Sequence, residues 1–441
     1  MSRELFGTDG VRALAGTYPL DQTGTTAIGR AVGTQFAHEG EHVVIACDTR
    51  ESSQHLVELL TGGLRAVGVH VVFAGVIPTP GLAYITAQHP EFVAGVMVTA
   101  SHNPYEYNGV KVFSPAGGKL TDAAEERLNT DIEQGVPDRL DPHHSGLDPE
   151  SSLEIHEAYA QEYEDFLVAS AGDVRLEGMK LVVDTAHGAA SGIGQRVFTR
   201  LGAEVTALGD TPDGRNINVD CGATNTLALR SAVVDAQVTL GIAVDGDADR
   251  LMMVDSVGRE CTGDHLLYLL AVGNGYRNVV ATVMTNLGAE QSMAARGISL
   301  ERTGVGDRYV LERLIETGYH LGGEQSGHII LPDITTTGDG LLAAVQVLRV
   351  LQASGKALAS WRDEVELLPQ CLVNFRIADK MKLNSPEVTD YVQVKTAALG
   401  TTGRILVRPS GTEPLARVMV EAPNAEALAQ EMAQHIEGLV Q

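Results

Sequence analysis

One arrangement occurs three times in this chain: an apolar run, a helical stretch, a glycine and a second apolar run. The first runs begin at Val43, Lys180 and Val279. A strand, a helix and a second strand in this order are typical of parallel βαβ units, because parallel strands need a crossover connection. Three such units predict three related α/β domains.

The periodicity also gives approximate bounds for the elements of these units. The predicted first strands are 43–46, 180–183 and 279–284. The helix of the first unit is predicted to start near residue 52, and those of the other two units span 189–200 and 288–296. The predicted second strands are 69–74, 205–208 and 298–302. Each strand is short and apolar, and each helix has three to four turns. The arrangement favours parallel pairing over hairpins within each unit.

The last part of the chain follows a different order. Strands are predicted at 372–377, 404–407 and 417–420, with helices at 386–399 and 425–439. This order indicates a smaller α+β domain. Candidate linkers are 135–149, the turn at 255–259, and 367–370. The sequence therefore predicts four domains, at 1–150, 151–254, 255–367 and 368–441.

Charge and length limit the function. The chain has 441 residues and a formal net charge of −25, which repels nucleic acid and anionic membranes, so neither is an expected partner. No apolar run approaches the roughly 20 residues of a membrane span, and the start lacks a signal-peptide core. The four cysteines are widely scattered, which favours reduced thiols. A cytoplasmic enzyme is predicted, whose anionic substrates would need a local basic cluster.

Three carboxylates follow the apolar run 238–244 at alternate positions. They are Asp245, Asp247 and Asp249, and the small residues Gly246 and Ala248 between them allow a tight turn. If the chain turns there, the three side chains can converge on one cation. Hard oxygen ligands without histidine or cysteine favour Mg²⁺ or Ca²⁺, and a phosphate oxygen could complete the coordination.

A serine loop follows another apolar run, 93–98. Ser101 lies in Thr99-Ala-Ser-His-Asn-Pro104, and His102 is too close in sequence to be a good base for it. The pair Asn108-Gly109 predicts a turn, after which strand 110–113 would bring Lys111 back towards the serine. A lysine near a cation loses affinity for its proton, so Lys111 could act as a general base. Together with the carboxylates, the loop suggests a serine that carries a phosphoryl group beside a divalent cation.

Two other loops have the composition of anion or hydroxyl sites. Residues 408–413 offer an arginine, two hydroxyls and free amides, with Arg417 nearby, as a phosphate site would. Residues 322–328 are rich in glycine and carry Glu324 and Ser326, a pair that suits neighbouring sugar hydroxyls. His328 is a possible proton carrier, and the loop 303–308, with Asp307, could bind phosphate or sugar.

Five segments together resemble a known family. Residues 6–12, 99–104, 245–250, 323–328 and 408–414 match, in order, the signature loops of the α-D-phosphohexomutase superfamily. The start of the chain and Gln325 are most similar to the branch that acts on glucosamine phosphates. The segment Ala13–Gly16 departs from the family, which usually has glycine directly after the arginine. The resemblance implies three similar α/β domains and a C-terminal α+β domain around a central cleft.

The resemblance also implies roles for individual residues. The implied catalytic residues are Ser101, Lys111, His102, His328, Arg12 and Arg250. The implied ligands of one Mg²⁺ per subunit are the phosphorylated Ser101, Asp245, Asp247 and Asp249. The implied substrate-binding residues are Glu324, Ser326, Asp307, Arg408, Ser410, Gly411, Thr412 and Arg417. Ser101 would be the phosphorylated residue and Lys111 the base.

The implied reaction interconverts glucosamine 6-phosphate and glucosamine 1-phosphate and feeds UDP-N-acetylglucosamine synthesis. A glucosamine or glucose 1,6-bisphosphate would be the phosphorylating intermediate, and a homodimer is left open. Glucose or mannose phosphates are alternative substrates. A haloacid-dehalogenase-like phosphatase is an alternative reaction, since Asp245-Gly-Asp247 follows a strand, but Asp249 does not fit its motif. A non-catalytic phosphosugar sensor would not need the full set of reactive side chains.

Overall fold

The computed structural model describes residues 5–7, 10–136, 153–410 and 414–440. The chain divides into two compact units, a larger unit of residues 1–283 with 301–362 and a smaller unit of residues 284–300 with 363–441. The predicted linker 135–149 lies outside the described residues from residue 137 onward.

The first sheet lies in the N-terminal part of the larger unit. Its strands are β1 (Val11–Leu14), β2 (His42–Cys47), β3 (His70–Val76), β4 (Phe92–Val98) and β5 (Tyr107–Phe113). The helices of this part are α1 (Gln22–Phe36), α2 (Ser53–Ala66), α3 (Thr79–Gln88), α4 (Asp122–Gln134) and α5 (Ala158–Ser170). The strand order is β1-β5-β4-β2-β3. Both faces of the central strands are buried, as expected for a sheet covered by helices on both sides.

The second sheet repeats this topology further along the chain. Its strands are β6 (Lys180–Asp184), β7 (Glu204–Leu208), β8 (Leu240–Val244), β9 (Leu251–Asp255) and β10 (Glu260–Cys261), with helices α6 (Ile193–Arg200) and α7 (Leu227–Asp235). The order is β10-β9-β8-β6-β7. In both sheets the first strand of the βαβ unit pairs in parallel with two neighbours, and an antiparallel strand follows.

The third sheet has four strands in the order β12-β11-β13-β14. The elements of residues 263–362 are α8 (Gly263–Asn274), β11 (Asn278–Thr282), α9 (Leu287–Ala295), β12 (Ser299–Thr303), α10 (Asp307–Thr317), β13 (Gly322–Gly323), β14 (Ile329–Ile330), α11 (Gly340–Ser354) and α12 (Leu358–Arg362). Strand β13 pairs in parallel with β11 and antiparallel with β14. The shared strand order of the three sheets confirms the predicted three similar α/β domains.

The C-terminal part of the smaller unit is an antiparallel sheet covered by helices. It contains β15 (Gln370–Arg376), a 3₁₀ helix (Lys380–Asn384), α13 (Pro386–Leu399), β16 (Arg404–Pro409), β17 (Leu415–Glu421) and α14 (Ala425–Val440). Strand β17 lies between β15 and β16. Its apolar face packs against α14 through side chains such as Val418, Val420 and Met432. The predicted α+β domain is confirmed.

One predicted local feature was wrong because of buried contacts. Asn108 and Gly109 lie within β5 and form no turn, since Asn108 is buried and donates to the hydroxyls of Ser52 and Ser53. A Cβ atom at Gly109 would lie 2.5 Å from the carbonyl oxygens of Thr99 and Val11. The glycine therefore permits close strand packing rather than a reversal of the chain.

Two predicted boundaries also shift. The helix predicted at 189–200 begins only at Ile193, because Gly192 before it adopts φ +74° and residues 188–191 form turns. Strand β11 ends at Thr282 rather than at 284. The turn at 255–259 joins the antiparallel strands β9 and β10 of one sheet. None of the helices within the described ranges has the length and apolar content of a membrane span.

Candidate active site

The four loops with candidate chemistry occupy equivalent places in the four sheets. Loop 99–106 joins β4 to β5, loop 245–250 joins β8 to β9, loop 324–328 joins β13 to β14, and loop 410–414 joins β16 to β17. In each case the two joined strands are antiparallel neighbours. We call them the serine loop, the carboxylate loop, the sugar loop and the phosphate loop. Of the phosphate loop, residues 411–413 lie outside the described residues, which includes the predicted Gly411 and Thr412.

Ser101 is held in an uncommon backbone conformation at the start of the serine loop. Its φ is +52°, in the left-handed region that few residues other than glycine adopt. Its amide donates to the Thr99 hydroxyl at 2.9 Å. Its own hydroxyl is buried and donates to Asp245 Oδ2 at 2.7 Å. The backbone therefore aims the serine Oγ at the carboxylate loop.

The three carboxylates converge as the sequence predicted. Each of Asp245, Asp247 and Asp249 offers one oxygen, and these oxygens lie within 4.8 Å of one another. The chain turns directly after β8, where the Ala248 amide donates to the Asp245 carbonyl and Ala248 has φ +59°. All three carboxylates are buried. The turn, rather than the alternation of a strand, brings them to one point.

Residues of the first sheet and its helices hold the carboxylate loop in place. The Thr79 hydroxyl, at the start of α3, donates to Asp247 Oδ2 at 2.6 Å. Lys111 Nζ, from β5, lies 2.7 Å from the same oxygen and 3.2 Å from Asp249 Oδ2. Lys111 thus lies beside the carboxylates, close to the place that the sequence predicted for it.

The electrostatics of this cluster are those of an incomplete cation site. Burial, with Asp249 and Asp247 nearby, raises the pKa of Asp245 well above its usual range. Burial acts in the same direction on Asp249, but Lys111, His328 and Arg250 outweigh it and hold that pKa below its usual range. Oδ1 of Asp247 and Oδ1 of Asp249 are buried without a hydrogen-bond partner among the described residues. Buried acceptors of this kind are costly unless something binds them, so the residues fit a hard divalent cation.

His102, Arg12 and Arg250 lie around the serine. His102 Nδ1 is 3.3 Å from Ser101 Oγ, so the neighbouring histidine does reach the hydroxyl. Burial, with Arg250 and Arg12 nearby, lowers the pKa of His102 to about 4. This ring is therefore neutral at working pH. Arg250 Nε also lies 3.9 Å from Asp249 Oδ1.

The sugar loop is shaped by close backbone contacts. Its ends are joined by the Glu324 amide, which donates to the His328 carbonyl at 2.9 Å. Gly327 has φ +92°, and a Cβ atom there would lie 2.1 Å from the Leu251 carbonyl oxygen. Burial raises the pKa of Glu324, whose Oε1 accepts from the Gly306 amide at 3.2 Å. Glu324 and Ser326 are both half-buried, so each remains accessible to a ligand.

His328 and Asp307 are neighbours in the third sheet's part of the larger unit. His328 Nε2 lies 3.3 Å from Asp307 Oδ2, and both side chains are almost wholly buried. Asp307 begins α10, and its Oδ1 accepts from Lys119 Nζ at 2.7 Å. The sequence had singled out both His328 and Asp307, but not Lys119.

In the smaller unit, positive charge gathers around Ser410. Arg408 and Arg417 face each other as a cross-strand pair of β16 and β17. Burial, with Arg417 nearby, lowers the pKa of Arg408. Arg417 Nη2 lies 3.3 Å from Ser410 Oγ, and Lys380 Nζ donates to the Ser410 carbonyl. Like charges directly opposite are destabilising, so this arrangement is typical of a site for an anion.

Several residues in or beside the four loops of the two units were missed by the sequence reasoning. They are Arg50, Asp48, Thr79, Lys119, Asn218 and Lys380. One signal was available: Asp48 and Arg50 directly follow β2, and ligand loops gather at the carboxyl ends of parallel strands. The contacts of Lys119 and Asn218 join segments far apart in sequence, so no local pattern marks them.

Comparisons with known proteins agree with this geometry. Four successive segments match the domains of the phosphoglucomutase/phosphomannomutase family: α/β/α domain I at residues 3–138, domain II at 157–258, domain III at 262–367 and the C-terminal domain at 372–438. The chain is 46% identical to phosphoglucosamine mutase of Thermus thermophilus over 443 residues, which cover 100% of this chain and 99% of that protein. It is also 46% identical to phosphoglucosamine mutase of Deinococcus radiodurans, with 95% and 94% covered.

Solved structures show the same fold. A phosphoglucomutase/phosphomannomutase family protein of Burkholderia thailandensis superposes with a TM-score of 0.79 at 26% identity, covering 98% of this chain and 96% of that one. N-acetylphosphoglucosamine mutase of Aspergillus fumigatus, solved in complex with GlcNAc-6P and magnesium, superposes with a TM-score of 0.66 at 18% identity, covering 99% and 95%.

Proposed function

Because this chain belongs to the phosphoglucomutase/phosphomannomutase family, we infer that it is an isomerase that interconverts glucosamine 6-phosphate and glucosamine 1-phosphate. The identity of 46% over the full length to a phosphoglucosamine mutase supports this substrate. One observation carries the chemistry: the Ser101 hydroxyl lies 2.7 Å from a carboxylate of a buried, convergent triad. A nucleophile and a cation site in contact are what phosphoryl transfer through a phosphoserine needs.

The reaction proceeds in two transfers. The P–O bond of phosphorylated Ser101 breaks as the free hydroxyl of glucosamine 6-phosphate attacks the phosphorus, which gives the 1,6-bisphosphate and the serine hydroxyl. After the bisphosphate reorients so that its other phosphoryl group faces Ser101, the Ser101 hydroxyl attacks the phosphorus on O6, and glucosamine 1-phosphate leaves. Each transfer moves one proton from the attacking hydroxyl and returns one to the leaving oxygen. The serine loop must therefore serve as donor and as acceptor.

A magnesium ion fits the carboxylate loop. Asp245, Asp247, Asp249 and an oxygen on Ser101 would hold it, since two of these carboxylates have an oxygen without a hydrogen-bond partner among the described residues. When bound, the ion neutralises the charge of the transferred phosphoryl group. The magnesium named in the related Aspergillus structure supports this assignment.

Lys111 is proposed as the group that exchanges the hydroxyl proton. Its ammonium contacts two carboxylates, Asp247 and Asp249. A cation at the same carboxylates would repel that ammonium and favour the neutral amine, which can accept a proton. His328 would assist the proton transfer, and Arg12, Arg250 and His102 would position the phosphoryl group on Ser101.

The other loops are proposed to bind the sugar phosphate. Glu324 and Ser326 would bind ring hydroxyls, with Asp307 beside them. The phosphate that does not react would be bound by Arg408, Ser410, Gly411, Thr412 and Arg417. In this proposal the domains 1–150, 151–254, 255–367 and 368–441 each supply one of the four loops.

The test combines mass spectrometry with an assay. Incubation with glucose 1,6-bisphosphate is expected to add one phosphoryl group to the intact chain, and peptide analysis should place it on Ser101. The phosphorylated enzyme should convert glucosamine 6-phosphate with a higher kcat/KM than glucose or mannose phosphates. A chain that stays unphosphorylated at Ser101 while it turns over would refute the mechanism. Equal kcat/KM values for the three sugars would instead favour a broader phosphohexomutase.

A further inference from the structure

One buried arginine organises the whole serine loop. Arg50 lies just after β2, and its side chain is fully buried. Its Nη2 donates to the carbonyls of Ser101 and Asn103, both at 2.9 Å. Its Nη1 donates to the carbonyls of Pro104 and Tyr107. The loop thus curls around the guanidinium, with the carbonyl oxygen of Ser101 among those that point at it.

Asp48 completes this arrangement. Its Oδ2 accepts from Arg50 Nε at 2.8 Å and from the Thr99 hydroxyl at 2.8 Å. The Thr99 hydroxyl in turn accepts the Ser101 amide at 2.9 Å. All five N–H donors of the guanidinium are then used, three on carbonyls of the serine loop, one on the carbonyl of Tyr107 at the start of β5, and one on Asp48. An ammonium has three donors and no planar fork, so lysine cannot reproduce the pattern.

These hydrogen bonds hold both the amide and the carbonyl of Ser101, the residue with the positive φ. Arg50 fixes the carbonyl of Ser101, and Asp48 fixes its amide through Thr99. A second donor, Asn218 Nδ2 from the segment after β7, reaches the same carbonyl at 2.9 Å. Residues with φ near +52° persist only when the surroundings determine them. These contacts supply that determination.

We propose that Arg50 is a positioning residue for phosphoryl transfer, which holds the serine loop so that Ser101 Oγ faces the carboxylate loop. Arg50 has no hydrogen bond to Ser101 Oγ or to the carboxylates of the carboxylate loop among the described residues. It acts through the backbone of the serine loop. The proposal rests on the proposed role of Ser101 as the phosphoryl carrier. It goes beyond that role because it states that the buried guanidinium of Arg50 sets the position of Ser101 for the transfer.

The experiment compares four variants of the full chain. Arg50→Lys keeps the charge and removes the fork, and Arg50→Met keeps the bulk and removes both. Arg200→Ala is the matched control, because it removes an exposed arginine that pairs with Glu164 and Asp165 of α5. Ser101→Ala tests the proposed function itself. Each is measured for kcat, KM, melting temperature and amide hydrogen exchange of a peptide covering 99–107.

We expect Arg50→Lys to lower kcat by about 100-fold, because small misplacement of a reacting group has effects of that order. KM should change little, since the residues proposed to bind the sugar phosphate lie elsewhere. Exchange protection should fall in the 99–107 peptide and stay normal in peptides from the other strands. Arg200→Ala should match the unmodified chain in kcat and in the exchange of that peptide.

The outcomes separate the two proposals. Wild-type kcat in a folded Arg50→Lys variant overturns the positioning role, while an inactive Ser101→Ala in the same series leaves the mutase mechanism standing. Activity in Ser101→Ala refutes the mechanism whatever Arg50 does. An Arg50→Lys chain that does not fold, or that loses protection throughout the first sheet, assigns Arg50 to stability and also overturns the proposal. If only Arg50→Met fails to fold, the lysine variant decides.

Discussion

The serine loop and the carboxylate loop occupy the same position in two sheets of one topology, yet they are stabilised in opposite ways. The serine loop surrounds a cation of the protein itself, since three of its carbonyl oxygens, and that of Tyr107 at the start of β5, accept from Arg50. The carboxylate loop presents three anionic side chains to a common point. Two of their oxygens have no hydrogen-bond partner among the described residues.

The difference shows how one fold can divide a reaction between repeated parts. The serine loop is complete as folded, so its geometry is set before any ligand arrives. The carboxylate loop is complete only when a cation from solution supplies the missing charge. Position in the fold therefore decides where a loop lies, and the side chains decide what it does there.

The largest expected effect comes from removing the reactive atom of the serine loop and leaving its frame. Ser101→Ala should bring mutase turnover below detection, because it removes the hydroxyl that donates to Asp245 and that is proposed to carry the phosphoryl group. The melting temperature should stay near that of the unmodified chain, since the Arg50 bonds go to backbone atoms. Coupled assays on protein purified without contaminating mutase would measure this. Full activity would contradict the phosphoserine mechanism.

The next effect concerns the incomplete loop. EDTA should silence the enzyme and Mg²⁺ should restore it, whereas Asp247→Asn should bind Mg²⁺ at least about 100-fold more weakly, because even changes behind a metal ligand cost 10–100-fold. Mg²⁺ at 100 times its Kd should stabilise the unmodified fold by about 2.7 kcal/mol, and this is measurable as a melting shift. The control is Asp235→Asn, the same substitution at an exposed aspartate. Activity indifferent to chelation would contradict the cation site.

A third variant tests whether the phosphate loop serves every substrate. Arg408→Ala should lower kcat/KM by an amount equivalent to about 1.5–3 kcal/mol, the range for hydrogen bonds to charged groups. The loss should be equal for glucosamine, glucose and mannose phosphates, because they share the phosphate. Lys395→Ala, which removes a surface charge paired with Glu431, should have no such effect. A loss confined to one sugar would place Arg408 at the ring instead.

The smallest effect is expected in the sugar loop, where discrimination between hexoses is modest. Glu324→Gln should lower kcat/KM for glucosamine 6-phosphate by about 1–3 kcal/mol, the range for one altered contact. Activity on glucose phosphates should be measurable in the unmodified enzyme but weaker. The matched control is Glu316→Gln, an exposed glutamate paired with Arg313. A greater loss for mannose phosphate than for glucosamine phosphate would contradict the proposed preference.

The sequence predicted the repeated βαβ units, because burial of a strand on both faces leaves a continuous apolar run. It also predicted the convergence of the three carboxylates, since the small residues 246 and 248 signal a tight turn. The pair Asn108-Gly109 misled because it is a common turn signal, while the buried contacts that place it in a strand lie at residues 11, 52, 53 and 99. Tertiary contacts overrode local chemistry there.

The same limit explains why Arg50 was missed. Its partners are backbone carbonyls about fifty residues away, and a carbonyl leaves no trace in the residue type that carries it. The antiparallel strands β9 and β14, which follow the carboxylate loop and the sugar loop, were likewise not predicted. Hydrophobic patterns report burial well, but they do not report the direction of a strand.

The raised pKa of Asp245 has a consequence for proton balance. Burial raises the affinity of this carboxyl for protons, and a divalent cation that binds the same oxygens competes with those protons. Binding should then acidify a weakly buffered solution, and the heat of binding should vary with the ionisation enthalpy of the buffer. Because protons and the cation compete, magnesium should bind more tightly as the pH rises, until the carboxyl is ionised in both forms.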